Sequence, residues 1–499
     1  MKKKSAFVSF LCLTFCFGAF LSACQGGRDS VSDSVSSSDT ASGTSSDGAE
    51  ESFEVVYNTD YAPVYFEGGS VTNTVTTLGE GVHMVANYVT LNNGNVAIVY
   101  AVEVDLSKAD IRAGSYRNQR ANWYPTTATP YSMMTAFEEE SGKTVLATVN
   151  ADFFGATCVN AFVKDGCILK DGHTITTTAD YTDTFLYTDP KADVPASAPM
   201  LFGIDGEGEA QIAPIIQYEG DVTSAEVKRT LVTSKLTYKL IAGGDEYTVY
   251  ENDTSQDVEN AVIFQTSATQ WRRYPAGSVV YRVDISDDYT DMQILEKTAL
   301  EESGRYRATA EEGYVVVDPS FAGGGGIAGL EVGDTITVAV TSADGTWDGY
   351  ETILGCRQAL VMDGEMAYTY QGGQKICTVT LENLNGAQSE NVPRTAVGLK
   401  ADGTVVVFAV ESLRYGSSDV VGEVPADASY GLNLPQLADF MIYYGIETGA
   451  NFDGGGSTQL IAREGADAEP EVVIRSSDTG SYTLASSRPV MNTLMVTTK

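Results

Sequence analysis

Histidine and closely spaced cysteines are scarce in this sequence, and each scarcity disfavours a class of enzyme. The chain has 499 residues but only 2 histidines, His83 and His173. Beyond residue 24, no two cysteines have the C-x-x-C spacing of a zinc site. A zinc enzyme and a Ser-His-Asp hydrolase are therefore disfavoured, and neither a metal nor another cofactor is expected.

Positive charge is also scarce. The sequence has 31 Lys and Arg against 67 Asp and Glu, which gives a formal net charge of −36. Proteins bind nucleic acid through clustered cations that neutralise phosphates. Nucleic acid is therefore not an expected partner.

Apolar runs long enough to cross a membrane are missing as well. Lys2 to Lys4 precede an apolar stretch from Ala6 to Ala19, which is shorter than the roughly 20 residues of a transmembrane helix. Leu21 to Cys24 follow directly, so the pattern is that of a secretion signal with a small-residue cleavage site. These four residues resemble the lipobox of bacterial lipoproteins, in which the cysteine carries the lipid.

A polar tract follows this signal. Residues from Arg28 to Ser52 are almost entirely Ser, Asp, Thr, Gly and Ala, with too little apolar side chain to form a core. We expect a signal peptide over residues 1–23 and a flexible tether over residues 24–52. The sequence thus predicts a protein held by a lipid on Cys24 at the extracytoplasmic face of the cell membrane.

Four cysteines remain after the signal and Cys24. Four cysteines allow three pairings, and exported proteins commonly form disulfides. Each sequential pair brackets a predicted hairpin. We therefore expect bonds between Cys158 and Cys167 and between Cys356 and Cys377.

The folded part shows mainly strand patterns. Apolar residues alternate from Val96 to Leu106, which is typical of a strand with one buried face. Thr129 as N-cap and Gly142 as terminator predict a short helix, followed by a buried strand that ends at Asn150. Short β-branched runs separated by turn signals continue over about residues 201–348.

The C-terminal third has the clearest local signals. Apolar runs at residues 395–399 and 404–410 flank Asp402 and Gly403, which predicts a hairpin. Asn433 as N-cap and Gly445 as terminator predict a second helix. The predicted fold is α+β: a strand-dominated mixed sheet with a few short helices, in a single large catalytic domain over residues 53–499 with a core at about 82–499.

Several motifs occur in the order found in one enzyme family. They are Asn150 to Phe154, Leu360 to Glu365, Pro393 to Gly398, Gly431 to Asp439, Asn451 to Ser457 and Arg488 to Val490. Together they resemble the phosphodiester glycosidase family over roughly residues 82–499. The resemblance implies hydrolysis between the anomeric carbon of a sugar and a phosphodiester oxygen. N-acetylglucosamine or a related sugar would leave as free sugar, with a phosphomonoester as the second product.

Two positions depart from the pattern of that family. Asp152 stands where the family has glycine or another small residue, and it adds a carboxylate near the predicted site. Cys356 and Arg357 stand near the place of a Gly-Pro pair. The first departure could change the preferred sugar, and the second could change the shape of one wall of the predicted binding site.

Glycoside cleavage builds positive charge on the sugar ring and therefore needs a carboxylate. Asp453 is the first candidate for that role, with Glu411 and Asp152 as further catalytic candidates. The leaving phosphate needs its negative charge held by a guanidinium or by backbone N–H groups. The predicted substrate-binding residues are Asn150, Arg394, Thr395, Asn451, Gly454, Gly455, Gly456 and Ser457.

Each assignment has a structural alternative: an aspartate before glycines can simply form a turn, and an arginine can pair with a surface carboxylate. Two other functions also remain open. The protein could bind an envelope glycan without cleaving it, or it could transfer a sugar to an envelope polymer. The expected partners are thus a sugar-1-phosphodiester or envelope glycan and, through the lipid, the membrane.

Overall fold

The structure is a computed structural model of the chain. It describes residues 53–115, 127–153, 160–170, 200–214, 216–218, 231–233, 236–249, 262–266, 271–285, 291–309, 311–318, 325–342, 345–371, 374–380, 389–412, 414–415, 419–420, 429–479 and 483–499. The predicted signal peptide and tether lie outside the described residues. Within those residues, no helix is both long and apolar enough to span a membrane.

Strands dominate the described chain. Up to residue 170 they are β1 (Phe66–Gly79), β2 (Val82–Leu91), β3 (Val96–Val104), β4 (Ala109–Gly114), β5 (Val145–Asn150), β6 (Phe162–Lys164) and β7 (Cys167–Lys170). The middle contains β8 (Met200–Asp205), β9 (Ala210–Pro214), β10 (Ile216–Tyr218), β11 (Leu231–Thr233), β12 (Thr237–Ala242), β13 (Asp245–Val249), β14 (Val262–Gln265), β15 (Arg272–Tyr274), β16 (Val279–Asp284), β17 (Met292–Ala299), β18 (Gly304–Tyr306), β19 (Glu312–Val317) and β20 (Thr335–Thr341).

The remaining strands follow residue 349. They are β21 (Tyr350–Gly355), β22 (Ala359–Met362), β23 (Glu365–Met366), β24 (Tyr368–Gln371), β25 (Gln374–Cys377), β26 (Arg394–Lys400), β27 (Val405–Glu411), β28 (Arg414–Tyr415), β29 (Asp419–Val420), β30 (Ile446–Asn451), β31 (Leu460–Ala462), β32 (Glu471–Ile474) and β33 (Thr493–Thr498). The α-helices described are α1 (Pro130–Ser141), α2 (Gly325–Ala328) and α3 (Leu434–Tyr443).

Both helices predicted from the sequence are confirmed, together with their caps. The Thr129 hydroxyl accepts a hydrogen bond from the Ser132 N–H at the start of α1, and Gly142 ends it with a φ of 70°. At the start of α3, Asn433 and Gln436 form a reciprocal capping box. Such caps satisfy N–H groups that the first turn of a helix leaves without partners.

Four sheets of five or more strands carry the fold. The eight-stranded sheet has the order β1-β2-β3-β27-β26-β30-β22-β23, and α3 lies against its β22 and β30. Two five-stranded sheets have the orders β32-β31-β5-β33-β4 and β7-β6-β21-β8-β9. The seven-stranded sheet, β13-β12-β20-β17-β16-β19-β14, is built from the middle of the chain.

Strand direction corrects one part of the predicted fold class. All strand pairs formed among the described residues are antiparallel, so the expected mixed sheet was wrong there. Short apolar runs predict strands but not their partners, since the alternation of side chains is the same in either direction. The strand-dominated α+β character is confirmed.

One hydrophobic core joins the eight-stranded sheet to both five-stranded sheets. Phe408 from the first sheet and Phe440 from α3 join Val149 and Phe202 from the other two sheets in a single buried cluster. A second cluster, which includes Tyr238, Phe264 and Trp347, fills the space beneath the seven-stranded sheet. The candidate site lies where the chain passes from β30 of the large sheet to β31 of a five-stranded sheet.

The predicted bond between Cys356 and Cys377 was wrong. Cys356 is a free, fully buried thiol directly after β21, and burial raises its pKa well above the usual value. Cys377 instead ends the separate β24–β25 hairpin, opposite Tyr368. The two cysteines therefore do not bracket one hairpin as expected. Cys158 lies outside the described residues, so its bond with Cys167 stays a prediction.

Candidate active site

The glycine-rich segment after β30 is fixed from two sides. The Phe452 N–H donates to the Thr395 carbonyl (2.9 Å), which ties the segment to β26 of the large sheet. The Asp453 N–H donates to the Ala151 carbonyl (2.9 Å), just beyond β5 of a five-stranded sheet. Asp453 is therefore held at the junction of two sheets.

Asn150 strengthens this junction from its fully buried position at the end of β5. Its Nδ2 donates to the Asp453 carbonyl (2.7 Å), and its Oδ1 accepts from the Thr395 hydroxyl (2.8 Å) and the Gln459 N–H (3.2 Å). All the polar atoms of its amide group are thus used within the protein. Asn150 and Thr395 therefore position Asp453, rather than presenting their side chains to a substrate.

The Asp453 carboxylate has mixed surroundings. Burial raises the pKa of Asp453 to about 6, while a Ser457 hydrogen bond, the Arg488 and Arg357 charges and the Gly454 N–H oppose this rise. The Gly454 N–H donates to Oδ1 at 3.0 Å. A carboxylate with this pKa is mostly ionised at neutral pH and titrates just below it.

Three arginines interact with the charge of this carboxylate. Arg357 follows β21, its guanidinium lies 4.6 Å from the centre of the Phe153 ring, and burial lowers its pKa to about 10. Burial likewise lowers the pKa of Arg394 to about 9; Glu390 opposes this shift, and the Arg357 charge adds to it. Both arginines, like Arg488, interact with the Asp453 charge. The site can therefore hold an anion beside a carboxylate.

Arg394 is built in more tightly than the sequence suggested. It is only 4% exposed, and its Nε donates to the Leu432 carbonyl (2.9 Å) while Nη2 donates to the Glu390 carbonyl (2.8 Å). Its Nη1 lies near Gly454, since a Cβ at that glycine would be 3.7 Å from it. One edge of the guanidinium thus anchors two loops, and Nη1 lies beside the glycine run.

The glycine run has steric reasons for its composition. The Gly455 N–H donates to the Pro393 carbonyl (2.8 Å), and Gly455 has a φ of 60°. A Cβ at Gly456 would lie 2.1 Å from Asp478 Oδ2, closer than any side chain permits. Glycine is therefore required at 456 for the close approach of a carboxylate, a partner that sequence reasoning did not identify.

Asp478 and Arg488 are the site residues that sequence reasoning missed, along with Arg357. The Arg488 Nη1 is 2.6 Å from Asp478 Oδ2 in a half-buried ion pair. Arg488 also attracts Asp453, so it connects the two carboxylates. Arg488 stands within a recognised motif and Arg357 within a departure from the family pattern, so both had a signal in the sequence. Asp478 had none.

Asp152 has a different environment from Asp453. Its Oδ1 accepts from the Phe153 N–H (2.7 Å) and from Asn160 Nδ2 (2.9 Å), and its Oδ2 accepts from the Asn160 N–H (3.0 Å). Burial raises its pKa to about 6, and these hydrogen bonds oppose the rise. Both oxygens are occupied, which favours a role in ordering the chain around the site over direct catalysis.

The other predicted residues lie at the same end of the large sheet. Glu411 ends β27 one residue after Val410, the partner of Arg394 in the sheet. Its carbonyl accepts from the Ser429 hydroxyl. Asn451 ends β30 with Oδ1 buried and without a hydrogen-bond partner among the described residues. Such a buried acceptor is costly unless a ligand or water satisfies it.

Metal binding has no visible basis in the described part of the chain. No group of three or more His, Cys, Asp or Glu side chains there could hold a metal ion. The polar groups that converge on the site are instead carboxylates, guanidiniums and backbone N–H groups. These are the groups that handle an oxocarbenium ion and a phosphate.

A family comparison matches the C-terminal part of the chain. Residues 291–497 match the model of one family, described as phosphodiester glycosidase. The family resemblance drawn from the motifs is therefore confirmed over these residues, which make up fewer than half of the chain. The match includes Arg357, Arg394, Asp453, Asp478 and Arg488, whereas Asn150 and Asp152 precede it.

Two solved structures are similar to the chain at low identity. A hypothetical protein from Synechocystis has 15% identity and a TM-score of 0.45, covering 86% of this chain and 64% of its own. This chain therefore spans less than two thirds of that protein. The zebrafish N-acetylglucosamine-1-phosphodiester alpha-N-acetylglucosaminidase catalytic domain, auto-inhibited by its pro-peptide, has 11% identity and a TM-score of 0.37. That match covers 88% of this chain and 96% of its own. No curated protein sequence matches the chain.

Proposed function

We propose that this protein hydrolyses a sugar-1-phosphodiester at the bond between the anomeric carbon and oxygen. The observation that carries the proposal is the position of the Asp453 carboxylate, which is held at the junction of two sheets and attracts Arg357 and Arg488. A glycosidase needs a carboxylate at the anomeric carbon, and a phosphate leaving group needs fixed positive charge. This site has both.

In this mechanism the ionised Asp453 acts at the anomeric carbon, either as nucleophile or as the base that activates water. The bond between that carbon and the phosphate oxygen breaks, and its electron pair goes to the oxygen. Water supplies a hydroxyl to the sugar and a proton to the phosphomonoester. Arg357 and Arg394 hold the growing phosphate charge.

Asp478 enters the proposal as a second carboxylate. It pairs with Arg488 at 2.6 Å and lies against Gly456. Glycosidases use two carboxyl groups on opposite sides of the bond, although a phosphate leaving group needs little protonation. We propose that the main role of Asp478 is to hold Arg488 in place. Glu411 remains a further catalytic candidate.

The proposed sugar is an N-acetylhexosamine, such as N-acetylglucosamine. Asn451 supports this choice because its Oδ1 is a buried acceptor without a partner among the described residues. The N–H of an acetamido group is a donor that would satisfy it, and leaving it unsatisfied costs about 1–3 kcal/mol. The hydroxyl of the corresponding glucose substrate is also a donor to Oδ1, so the comparison of the two sugars is part of the test.

The test is a panel of aryl esters of sugar-1-phosphates, read by mass spectrometry. We expect the purified chain to release free N-acetylglucosamine and the aryl phosphate, with less turnover of the glucose analogue. In ¹⁸O-labelled water the label should enter the sugar. Label in the phosphate would mean phosphorus–oxygen cleavage, and sugar appearing on an added glycan acceptor would mean transfer. Binding without turnover would support a glycan-binding protein instead.

We also propose lipid anchoring at Cys24 on the extracytoplasmic face of the membrane. The reason is the sequence Leu21 to Cys24 and the polar tract that follows it. Cys24→Ala should abolish the lipid-sized increase in intact mass and release the protein from the membrane fraction. Cys377→Ala is the matched cysteine control. The same mass and membrane partition in Cys24→Ala and the parent would refute the anchor.

A further inference from the structure

A small two-stranded ribbon beside the seven-stranded sheet has an unusual outer face. In the β15–β18 pair, Arg273 stands opposite Arg305, and the same register places Trp271 opposite Arg307. Directly paired residues in an antiparallel ribbon project from the same face, and so do residues two apart on one strand. Trp271, Arg273, Arg305 and Arg307 therefore share one face, which we call the Trp-Arg face.

The opposite face of the ribbon is fixed to the protein. Tyr274 is buried and packs with Val280, Leu300 and Val316 in a small core cluster. Tyr306 contacts both Tyr274 and Tyr314, with ring centroids 5.9 and 5.2 Å apart. The ribbon therefore has a packed face, and the Trp-Arg face is directed to solvent.

All four residues of the Trp-Arg face are exposed. Trp271 is 54% exposed, which is exceptional for so large an aromatic side chain in the described part of the chain. The guanidiniums of Arg305 and Arg307 lie 5.7 and 5.0 Å from the centre of its ring. Part of this arrangement is a cation–π contact, which orders the indole and leaves most of the guanidinium donors available.

The charge arrangement is unfavourable without an anion. Like charges directly opposite each other destabilise a strand pair. No salt bridge of Arg273, Arg305 or Arg307 is formed within the described residues, although the chain as a whole has a net charge of −36. An unfavourable pairing of like charges at the surface, with no salt bridge to offset it, is characteristic of a binding site.

We propose that the Trp-Arg face binds a glycan that carries phosphodiester groups. An indole offers a flat apolar surface for the face of a sugar ring, and guanidinium forks match phosphate oxygens. Neighbouring positions on the face are separated by about 5 Å across the strands and about 7 Å along them. One sugar ring on Trp271 would thus have its flanking phosphates within reach of the arginines.

A glycan suits this face better than the other polyanions. Sites for single-stranded nucleic acid combine several stacking aromatics along a basic groove, whereas this face has a single indole. Binding to an anionic lipid surface would need a larger apolar area to enter the interface. The proposal concerns a site separate from Asp453 and does not depend on turnover there.

The experiment measures binding of the full chain to phosphomannan, with the same mannan stripped of its phosphodiesters as neutral control. Intrinsic tryptophan fluorescence and calorimetry provide the readouts. We expect binding to phosphomannan that weakens with salt, and at least about tenfold weaker binding to the neutral mannan. Trp271→Ala, and separately Arg305→Gln with Arg307→Gln, should each weaken phosphomannan binding by about tenfold or more.

Matched controls separate the face from bulk charge. Lys108→Gln with Lys375→Gln removes two exposed cations elsewhere and should leave the affinity within about twofold of the parent. Arg305→Gln alone should raise Tm by about 1 °C at low salt, since it removes the like-charge pair. Arg394→Lys, which should weaken binding at the candidate active site, should leave phosphomannan affinity unchanged if binding is at the Trp-Arg face.

Several results would overturn the proposal. These are no binding of phosphomannan, equal binding of the neutral mannan, or unchanged affinity in both Trp-Arg variants. Tighter binding of an oligothymidylate or of phosphatidylglycerol vesicles through the same residues would assign the face to nucleic acid or to lipid instead.

Discussion

Asp453→Asn should lower kcat by at least about a thousandfold on any sugar-1-phosphodiester that the parent cleaves, with KM changed by less than about threefold. The substitution keeps the shape of the side chain and the acceptor for the Gly454 N–H, which lies 3.0 Å from Oδ1. It removes the negative charge that stabilises the sugar cation. The loss should therefore appear in turnover and only weakly in binding.

Steady-state kinetics and calorimetry on folded protein measure the two effects separately. Asp467→Asn is the matched control, because it removes one carboxylate from an exposed position. Near-normal turnover in Asp453→Asn would show that another carboxylate is the catalytic one. Glu411, Asp152 and Asp478 would then be tested in the same way.

The pH dependence of the parent follows from the same group. Burial raises the pKa of Asp453 to about 6, and the mechanism needs the ionised form. Turnover should therefore be full above pH 7 and fall about tenfold for each pH unit well below 6. Burial also raises the pKa of Asp152 to about 6, so Asp152→Asn is the control. The acid limb should survive in Asp152→Asn, and it should be absent from the residual activity of Asp453→Asn.

Local signals in the sequence predicted local structure well. The Thr129 cap and Gly142 stop define α1, and the Asn433 cap begins α3, because capping depends on residues within one turn. The Asp402-Gly403 turn predicted the β26–β27 hairpin for the same reason. These elements were predictable since the residues that fix them are neighbours in the chain.

Interactions between distant segments were harder to predict. Antiparallel pairing across hundreds of residues, such as β5 with β33, leaves no trace in strand periodicity. Asn150 and Asp453 were placed together only through the family motifs, and the hydrogen bond that joins them spans 303 residues. The approach of Asp478 to Gly456 depends on a loop after β32 that carries no motif.

Cys356 illustrates how the environment decides the chemistry of a side chain. Spacing alone suggested a disulfide, but the thiol lies in the core beside the Leu354 carbonyl at 3.9 Å. Asp152, likewise, was a candidate because it added a carboxylate near the site. Its three N–H donors, one from Phe153 and two from Asn160, favour a role in ordering the chain around Asn160, whose Nδ2 donates to the Cys356 carbonyl at 2.8 Å.

Arg394→Lys should reduce kcat/KM by about a hundredfold and, unlike Asp453→Asn, should weaken substrate binding as well as turnover. The native guanidinium donates from Nε to the Leu432 carbonyl and from Nη2 to the Glu390 carbonyl, while Nη1 lies near Gly454. A lysine ammonium is a single point charge and cannot hold both carbonyls and the phosphate at once. Phosphate contact in the ground state should therefore be lost together with contact in the transition state.

Stability separates the two tasks of Arg394. Loss of one buried hydrogen bond to a backbone carbonyl should lower the free energy of unfolding by about 1–3 kcal/mol, which would be seen as a lower Tm. Arg463→Lys is the matched control, because Arg463 is also largely buried and pairs with Glu138 at 2.7 Å away from these residues. That control should lose stability but retain KM.

One outcome would contradict the proposed role: Arg394→Lys could lose only stability, with KM and kcat unchanged at a temperature where it is folded. Arg394 would then be a structural anchor, and Arg357 and Arg488 would bind the phosphate. A parallel fall in affinity and turnover, with Asp453→Asn losing turnover alone, is the pattern that a carboxylate at the ring and a guanidinium at the phosphate require.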